Sequence, residues 1–344
     1  MKVVVLAGGL SDERDVSLSS GSQIANALIA NGHEVLLMDV FFGFPEAASF
    51  AEAYAQFGQK EYQAVISTQA PDLAALKAAN PTLTNLVGPH VIEICQGADA
   101  VFLALHGGIG ENGQIQALFD LYHIPYTGTG YKGSLLAMDK LLAKKLCALA
   151  GITSPKYWEY NAGEDMVNFA AQITYPVVVK PLDNGSSIGI QMVDDAHEMI
   201  PALVDASRYS AKVLVEEKIA GREFSVGLLD GKAVPIIEII PLKGFYDYAN
   251  KYQAGATKEV TPAELSPEKT SEMQQIAERA YQVLGLHGYS RVDFMMAEDG
   301  TIHFIEANTL PGMTPTSLLP QEVKVLGMSY PELCQKLLES AFQR

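Results

Sequence analysis

Residue types able to do chemistry cluster late in the chain. Arg291-Val-Asp293-Phe-Met and Phe304-Ile-Glu306-Ala-Asn308 read as two apolar strands joined by a turn at Glu298-Asp299-Gly300. An Asp-Gly turn flanked by alternating hydrophobic residues is a hairpin signal. Side chains alternate along a strand, so Glu306 and Asn308 share a face, and Asp293 meets them from the partner strand. Three oxygen donors without His or Cys suit a hard cation such as Mg2+ that holds substrate phosphates. Phe294, Met295, Phe304 and Ile305 argue for burial, where an unpaired charge is costly. A merely solvated hairpin face is therefore the weaker reading. Arg291 adds a permanent positive charge beside the acids.

Earlier stretches supply groups for an anion. Tyr175-Pro-Val-Val-Val-Lys180-Pro-Leu-Asp-Asn-Gly185-Ser186-Ser187-Ile-Gly189 joins a buried strand, a lysine and a Gly/Ser loop. Glycines let backbone N–H groups approach phosphate oxygens, and serines add donors; the alternative is a hairpin turn with a solvated lysine. In Val215-Glu216-Glu217-Lys218-Ile219-Ala-Gly221-Arg-Glu223 an extended linker at 216–219 could offer backbone N–H and C=O groups to an adenine edge, with Glu216 and Glu223 as acceptors for amino and ribose hydroxyl groups. Read alone, that charged connector is more simply a solvated link. His106-Gly-Gly-Ile-Gly110-Glu111-Asn-Gly113 follows a buried strand, and α/β sheets bind ligands at their C-terminal strand ends. Phe245-Tyr246-Asp247-Tyr248-Ala-Asn-Lys251-Tyr252 has no strand pattern and reads as a folded lid. There is no G-x-x-x-x-G-K-[ST], which excludes a Walker NTPase, and Gly8-Gly9-Leu10 after the first strand is not G-x-G-x-x-G, which disfavours a nicotinamide enzyme.

The elements that must position these groups begin with a β-branched run at 2–7, a helix within Ser11–Ala30 and a strand at 34–40, a βαβ start to a parallel sheet. Residues 41–90 are less regular, with helical stretches near 47–57 and 72–79. A buried strand spans 98–105, a short helix 115–122, and one long helix runs from Ser134 to about Ala150. After Gly151, strands at 177–180, 188–193, 213–216 and 224–229 look antiparallel and alternate with helices. A helix near 267–285 leads into the opening hairpin, and another starts at about Tyr330.

The 344 residues allow two or three domains. Hydrophobic content of 48% and charged content of 19% mark a soluble globular chain. No apolar run reaches the ~18 residues needed to span a bilayer. The first apolar run is short and is followed at once by Asp12, Glu13, Arg14 and Asp15, so it reads as a strand rather than a signal peptide, and the expected location is cytoplasmic. Three isolated cysteines fit reduced core thiols. The net charge of −16 argues against nucleic acid but not against a nucleotide held by local lysines and a metal.

In this order, the pieces closely resemble the D-alanine–D-alanine ligase family of the ATP-grasp superfamily. The resemblance covers nearly the whole chain. It rests on Gly8-Gly-Leu-Ser-Asp-Glu13-Arg-Asp-Val-Ser17, the His106 to Gly113 loop, Ala137-Met-Asp-Lys140, the Lys180 to Gly189 loop, Gly221-Arg-Glu223, Tyr246-Asp-Tyr-Ala-Asn-Lys-Tyr252, Arg291-Val-Asp293 and Glu306-Ala-Asn-Thr-Leu-Pro-Gly312-Met-Thr-Pro-Thr-Ser317-Leu318. It implies an α/β and α+β fold: an N-terminal parallel-sheet α/β substrate domain over 1–130, then a two-subdomain ATP-grasp fold, central over 131–214 and C-terminal over 215–344. It implies a homodimer that joins two D-alanines at the expense of ATP for peptidoglycan synthesis.

The resemblance also implies roles. Lys140, Lys180, Glu216, Glu223 and Lys251 bind ATP, with Lys218 and Ile219 giving backbone contacts to adenine. Asp293, Glu306 and Asn308 hold Mg2+, normally a pair of ions, with Mn2+ as a possible substitute. Glu13 takes the ammonium of the first D-alanine and connects with Ser186 and Tyr252 to fix the lid. Arg291 and the Gly312 N–H stabilise the oxyanion. Ser317 and Leu318 hold the second carboxylate, and His106 belongs to the substrate site. Asn112 and Ala117 depart from the family's usual Asp and Gly, and 41–90 is longer than in compact members. Tyr252 favours D-alanine over D-lactate as second substrate; D-serine is the alternative.

Overall fold

The computed structural model describes residues 1–64, 71–182, 189–242 and 257–343. It opens with β1 (Lys2–Ala7), α1 (Arg14–Ala30) and β2 (Glu34–Asp39). Val3 to Ala7 are buried on both strand faces, as the central strand of a helix-covered parallel sheet requires. After α2 (Phe50–Phe57), α3 (Leu73–Ala79) and α4 (Val91–Gln96), β3 (Ala100–Leu103) pairs parallel to β1. The order is β2-β1-β3. Two short helices, α5 (Gly108–Glu111) and α6 (Gln114–Leu121), follow.

The single helix expected from Ser134 to about Ala150 is two: α7 (Tyr131–Met138) and α8 (Lys140–Leu149). Asp139 leaves the helical conformation at ψ 97°, and its carboxylate accepts from the N–H groups of Leu141 and Leu142. That is an N-cap, which starts a new helix inside an unbroken apolar pattern. The new start aims Lys140 at the hairpin.

The middle sheet contains β4 (Tyr157–Asn161), β5 (Val177–Pro181), β6 (Gln191–Val193) and β7 (Lys212–Glu217), with α9 (Met166–Ala170) and α10 (Ala196–Ala206) between them. It is antiparallel in the order β4-β7-β5-β6. Val178 stands opposite Glu216 and Lys180 opposite Leu214, which puts Lys180 and Glu216 on one face as diagonal neighbours.

The third sheet runs β11-β10-β8-β12-β13, with β9 paired to β8. Its strands are β8 (Gly221–Leu229), β9 (Lys232–Ala233), β10 (Ile237–Pro241), β11 (Thr257–Val260), β12 (Tyr289–Ala297) and β13 (Ile302–Asn308). The amphipathic α11 (Pro267–Val283) starts at a Ser266 cap. The hairpin forms where expected, in the register Arg291↔Asn308 and Asp293↔Glu306. Two helices close the chain, α12 (Leu318–Val325) and α13 (Tyr330–Ser340). Leu333, Leu337 and Leu338 of α13 join the core around β1 and β3, so the C-terminus returns to the first sheet.

Candidate active site

The β12–β13 register brings four polar side chains to one face. Asp293 is the hub. Its Oδ1 accepts from Ser225 Oγ at 2.7 Å and Arg291 Nε at 2.8 Å, and its Oδ2 from Arg291 Nη2 at 2.8 Å and Asn308 Nδ2 at 3.0 Å. Two parallel N–H donors on one carboxylate make a strong, oriented pair. Glu306 faces Asp293 across the ladder and pairs with Lys140 at 3.4 Å. Among the described residues no three His, Cys, Asp or Glu side chains converge as a metal cluster. The donor set here is instead two carboxylates and the Asn308 amide, all oxygen, which fits a hard divalent cation.

A cavity of about 400 Å³ lies between the middle and third sheets. Val178, Ile190 and Met192 line one wall, and Ile239, Met295 and Ile305 the other. Apolar walls with polar groups at the ends suit a flat ring attached to a charged chain. Lys180, Glu216, Lys218, Ile219 and Glu223 line this space, and Asp293 and Glu306 stand at its end. The Lys218 N–H is engaged by Pro176 O at 3.1 Å, and its ammonium pairs with Asp194 at 3.1 Å.

Glu216 is 2% exposed and held between two ammonium groups. Lys180 pairs with one carboxylate oxygen, and Lys144 with the other at 2.5 Å. Burial alone would raise the Glu216 pKa, but Lys144 and Lys180 together hold it below the usual carboxylate range. Burial lowers the Lys144 pKa, against the pull of Glu216.

The N-terminal sheet reaches the site through two loops. Glu13 lies at the start of α1, beside Gly107. Gly107 has φ 64°, and a Cβ there would stand 3.0 Å from Glu13 Oε2, so glycine is what lets the loop lie against this acid. His106 Nδ1 lies 3.0 Å from Leu310 O. A carbonyl only accepts, so Nδ1 carries the proton. Burial lowers the His106 pKa and keeps the ring neutral, so Nε2 accepts from the Ser20 hydroxyl at 3.3 Å. Glu111 accepts from the N–H of Gly107 at 2.7 Å and of Leu310 at 3.3 Å. Burial first, and the Glu13 charge second, push its pKa up to about 7. Both residues therefore grip the backbone of the loop that follows β13.

On that loop, Ser317 stands at the N-terminus of α12, with its hydroxyl 2.8 Å from Thr314 Oγ1 rather than capping the helix. Helix N-termini favour carboxylates. A Cβ at Gly312 would meet Ser317 Oγ at 2.9 Å, so glycine permits the close approach. Leu318 packs on Ile237 and Ile239.

Arg291, Asp293, Glu306, Asn308 and Lys140 thus meet on one face. Lys180, Glu216, Lys218, Ile219 and Glu223 surround the cavity, and Glu13, His106, Gly312 and Ser317 sit on the loops around the hairpin's end, with Leu318 opening α12. Ser186, Lys251 and Tyr252, with the expected lid, lie outside the described residues. Sequence reasoning gave no role to Lys144, Glu111, Ser225 or Glu322. Lys144 carried a signal, because a lysine four residues after Lys140 shares its helix face.

The D-ala D-ala ligase N-terminus family matches residues 2–129, and the D-ala D-ala ligase C-terminus family matches residues 147–339. A D-alanine–D-alanine ligase of Pediococcus pentosaceus is 43% identical over 345 residues, 98% of this chain and 97% of the relative. One from Halalkalibacterium halodurans is 40% identical over 352 residues, 100% of both. The crystal structure of D-alanine–D-alanine ligase from Bacillus anthracis complexed with ATP is similar with a TM-score of 0.74, at 27% identity, covering 100% of this chain and 97% of that one.

Proposed function

The chain belongs to the D-alanine–D-alanine ligase family, and on that premise we propose that it uses ATP to join two D-alanines into D-alanyl-D-alanine, ADP and phosphate for bacterial peptidoglycan synthesis. The observation that carries this reading is the cavity between two sheets, apolar along its length and ending on the Asp293–Glu306 face. A free carboxylate is a poor acceptor for an amine. Transfer of the γ-phosphoryl group makes an acylphosphate, whose phosphate leaves readily.

The residues divide this work. The base lies between the apolar walls, with Glu216 and the 218–219 backbone at its edge and Glu223 at the ribose. Lys140 and Lys180 neutralise phosphate charge, as lysines do in phosphoryl transfer, and Lys251 joins them. Asp293, Glu306 and Asn308 would hold Mg2+, a pair of ions, with Mn2+ as an alternative. Bound there, the metal supplies positive charge to the phosphate oxygens. Glu13 holds the ammonium of the first D-alanine, with Ser186 and Tyr252 completing that contact, and His106 and Glu111 fix the loop beside it. Ser317, at a helix N-terminus, takes the second D-alanine's carboxylate next to Leu318. Arg291, braced by Asp293 through two nitrogens, and the Gly312 N–H meet the tetrahedral oxyanion.

The same reading gives a cytoplasmic homodimer, each chain divided near residue 130 and near residue 214. No helix among the described residues is long and apolar enough to cross a membrane. The test is phosphate release with ATP and D-alanine supplied singly and together, with product mass read on mixtures with D-serine. Release that is unaffected by omitting D-alanine rejects the ligase reading; a mixed product as the main mass replaces the second substrate.

A further inference from the structure

Glu216 is an unusual base-recognition group, because both its oxygens are already paired. The two lysines that pair with it are placed differently. Lys180 lines the cavity beside Glu216, whereas Lys144 is not part of that lining and is 0% exposed. Lys144 comes from α8, and its ammonium also meets Phe304 O at 3.2 Å and lies 5.7 Å from the Phe304 ring centre. It is held from three sides. Lys180 has its Glu216 contact and an open cavity ahead of it.

A triphosphate in the cavity offers Lys180 several anionic oxygens in place of a carboxylate that it shares with a second lysine. Once Lys180 turns away, Glu216 is a carboxylate 2% exposed to solvent. Leaving such a group without a counter-charge is strongly unfavourable. Lys144 remains, and the oxygen that Lys180 releases becomes the acceptor for an exocyclic amino group. We propose that Lys144 is the positioning residue for Glu216: it keeps the carboxylate charged and aimed while Lys180 transfers to the phosphates, and so sets the preference for a base bearing a 6-amino group. This rests on the reading of the cavity as the ATP site. Lys140, one turn earlier on α8, pairs with Glu306 at 3.4 Å, so one helix steadies both ends of the nucleotide.

The experiment measures kcat and KM with ATP and with inosine triphosphate, whose 6-oxo group cannot donate, in the wild type, K144M, K144Q and E216Q. A site built to bond a substrate N–H discriminates against an analogue lacking it. K144M and K144Q are expected to raise KM for ATP about tenfold or more, move KM for inosine triphosphate less than about twofold and leave kcat within about threefold. K144M on top of E216Q should add nothing to the change in preference. An equal rise for both nucleotides, which a merely structural lysine would give, overturns the proposal, as does no change. If E216Q itself leaves the preference intact, the assignment of Glu216 to the base fails, and the role of Lys144 falls with it. That failure is distinct from one in which only the Lys144 variants are silent. If neither Lys144 variant folds, side-chain 15N resonances of the wild type decide. Addition of a non-hydrolysable ATP analogue should shift the Lys180 ammonium and leave that of Lys144 in place; a shift at Lys144 with Lys180 unmoved overturns the proposal.

Discussion

Replacing Glu322 by glutamine should stabilise the protein increasingly as pH rises. Glu322 lies on α12 and is fully buried. β8 pairs with β10 as far as Ser225 and with β9 from Leu228, so Gly227 falls in the gap between them. Val234 N–H fills the gap on one side by donating to Gly227 O, and Glu322 Oε1 fills the other by accepting the Gly227 N–H at 3.1 Å. Glu322 Oε2 has no partner among the described residues. Burial drives its pKa well above the ordinary 4.5, against lowering by the Gly227 N–H and Arg291 and helped by Asp293. The folded protein therefore keeps a proton that the unfolded chain releases near pH 4.5. The stability this group contributes is complete below that pH and is lost as pH climbs toward the folded value, by about 1.4 kcal/mol per unit. Glutamine is neutral throughout and keeps an oxygen for Gly227. The stability of E322Q relative to the wild type should thus grow by about 1.4 kcal/mol per pH unit over that window, read by urea unfolding from about pH 5 to about pH 8. Two parallel pH profiles would refute a buried neutral carboxyl at this position.

Two further substitutions test separate parts of the structure. Glu306→Gln should leave the melting temperature near that of the wild type while coupled ADP release falls by roughly a hundredfold or more, since the lost charge serves phosphate chemistry; near-normal turnover would remove Glu306 from the metal site. Asp39→Ala strands Arg14, which is 8% exposed and pairs with Asp39 at 2.5 Å, and it also deprives the N–H groups of Gly9, Phe41 and Phe42 of an acceptor. Breaking a buried pair from one side costs about 3–5 kcal/mol, so denaturant unfolding that shows a loss under about 1 kcal/mol would mean that the loop re-pairs with water.

The hairpin was legible in the sequence because three local signals agree there: period-two alternation, an Asp-Gly turn and two oxygen donors, Glu306 and Asn308, two residues apart. Strand alternation then set the Asp293–Glu306 face without knowledge of the other sheets. The βαβ start and α13 were legible for the same reason, each having one dominant period. The break at Asp139 was hidden, because apolar spacing continues smoothly through it and only the carboxylate's turn onto two backbone N–H groups reveals a cap. Lys144, beyond the helix face that it shares with Lys140, and Glu111 were hidden for a different cause. Their partners, Glu216 and Leu310, lie far along the chain, and nothing local separates a buried paired charge from a solvated one. Glu322 lies on a helix that the sequence reading did not set out, and its burial shows only in the gap opposite Gly227.

The main chain of Leu310 is gripped by an imidazole and a carboxylate that both arise after β3, and its side chain, 3% exposed, is part of the core around β1 and β3. Drift at His106 or Glu111 would release that grip, and a smaller residue at 310 would leave a cavity in the core. Neither half of the gene product, expressed by itself, would present a finished reaction centre. Recombination between related genes can exchange the first 129 residues only where the donor brings that histidine, that acid and a sheet that receives Leu333, Leu337 and Leu338 of α13. Chimeras spliced near residue 130 become a practical route to new variants of this fold.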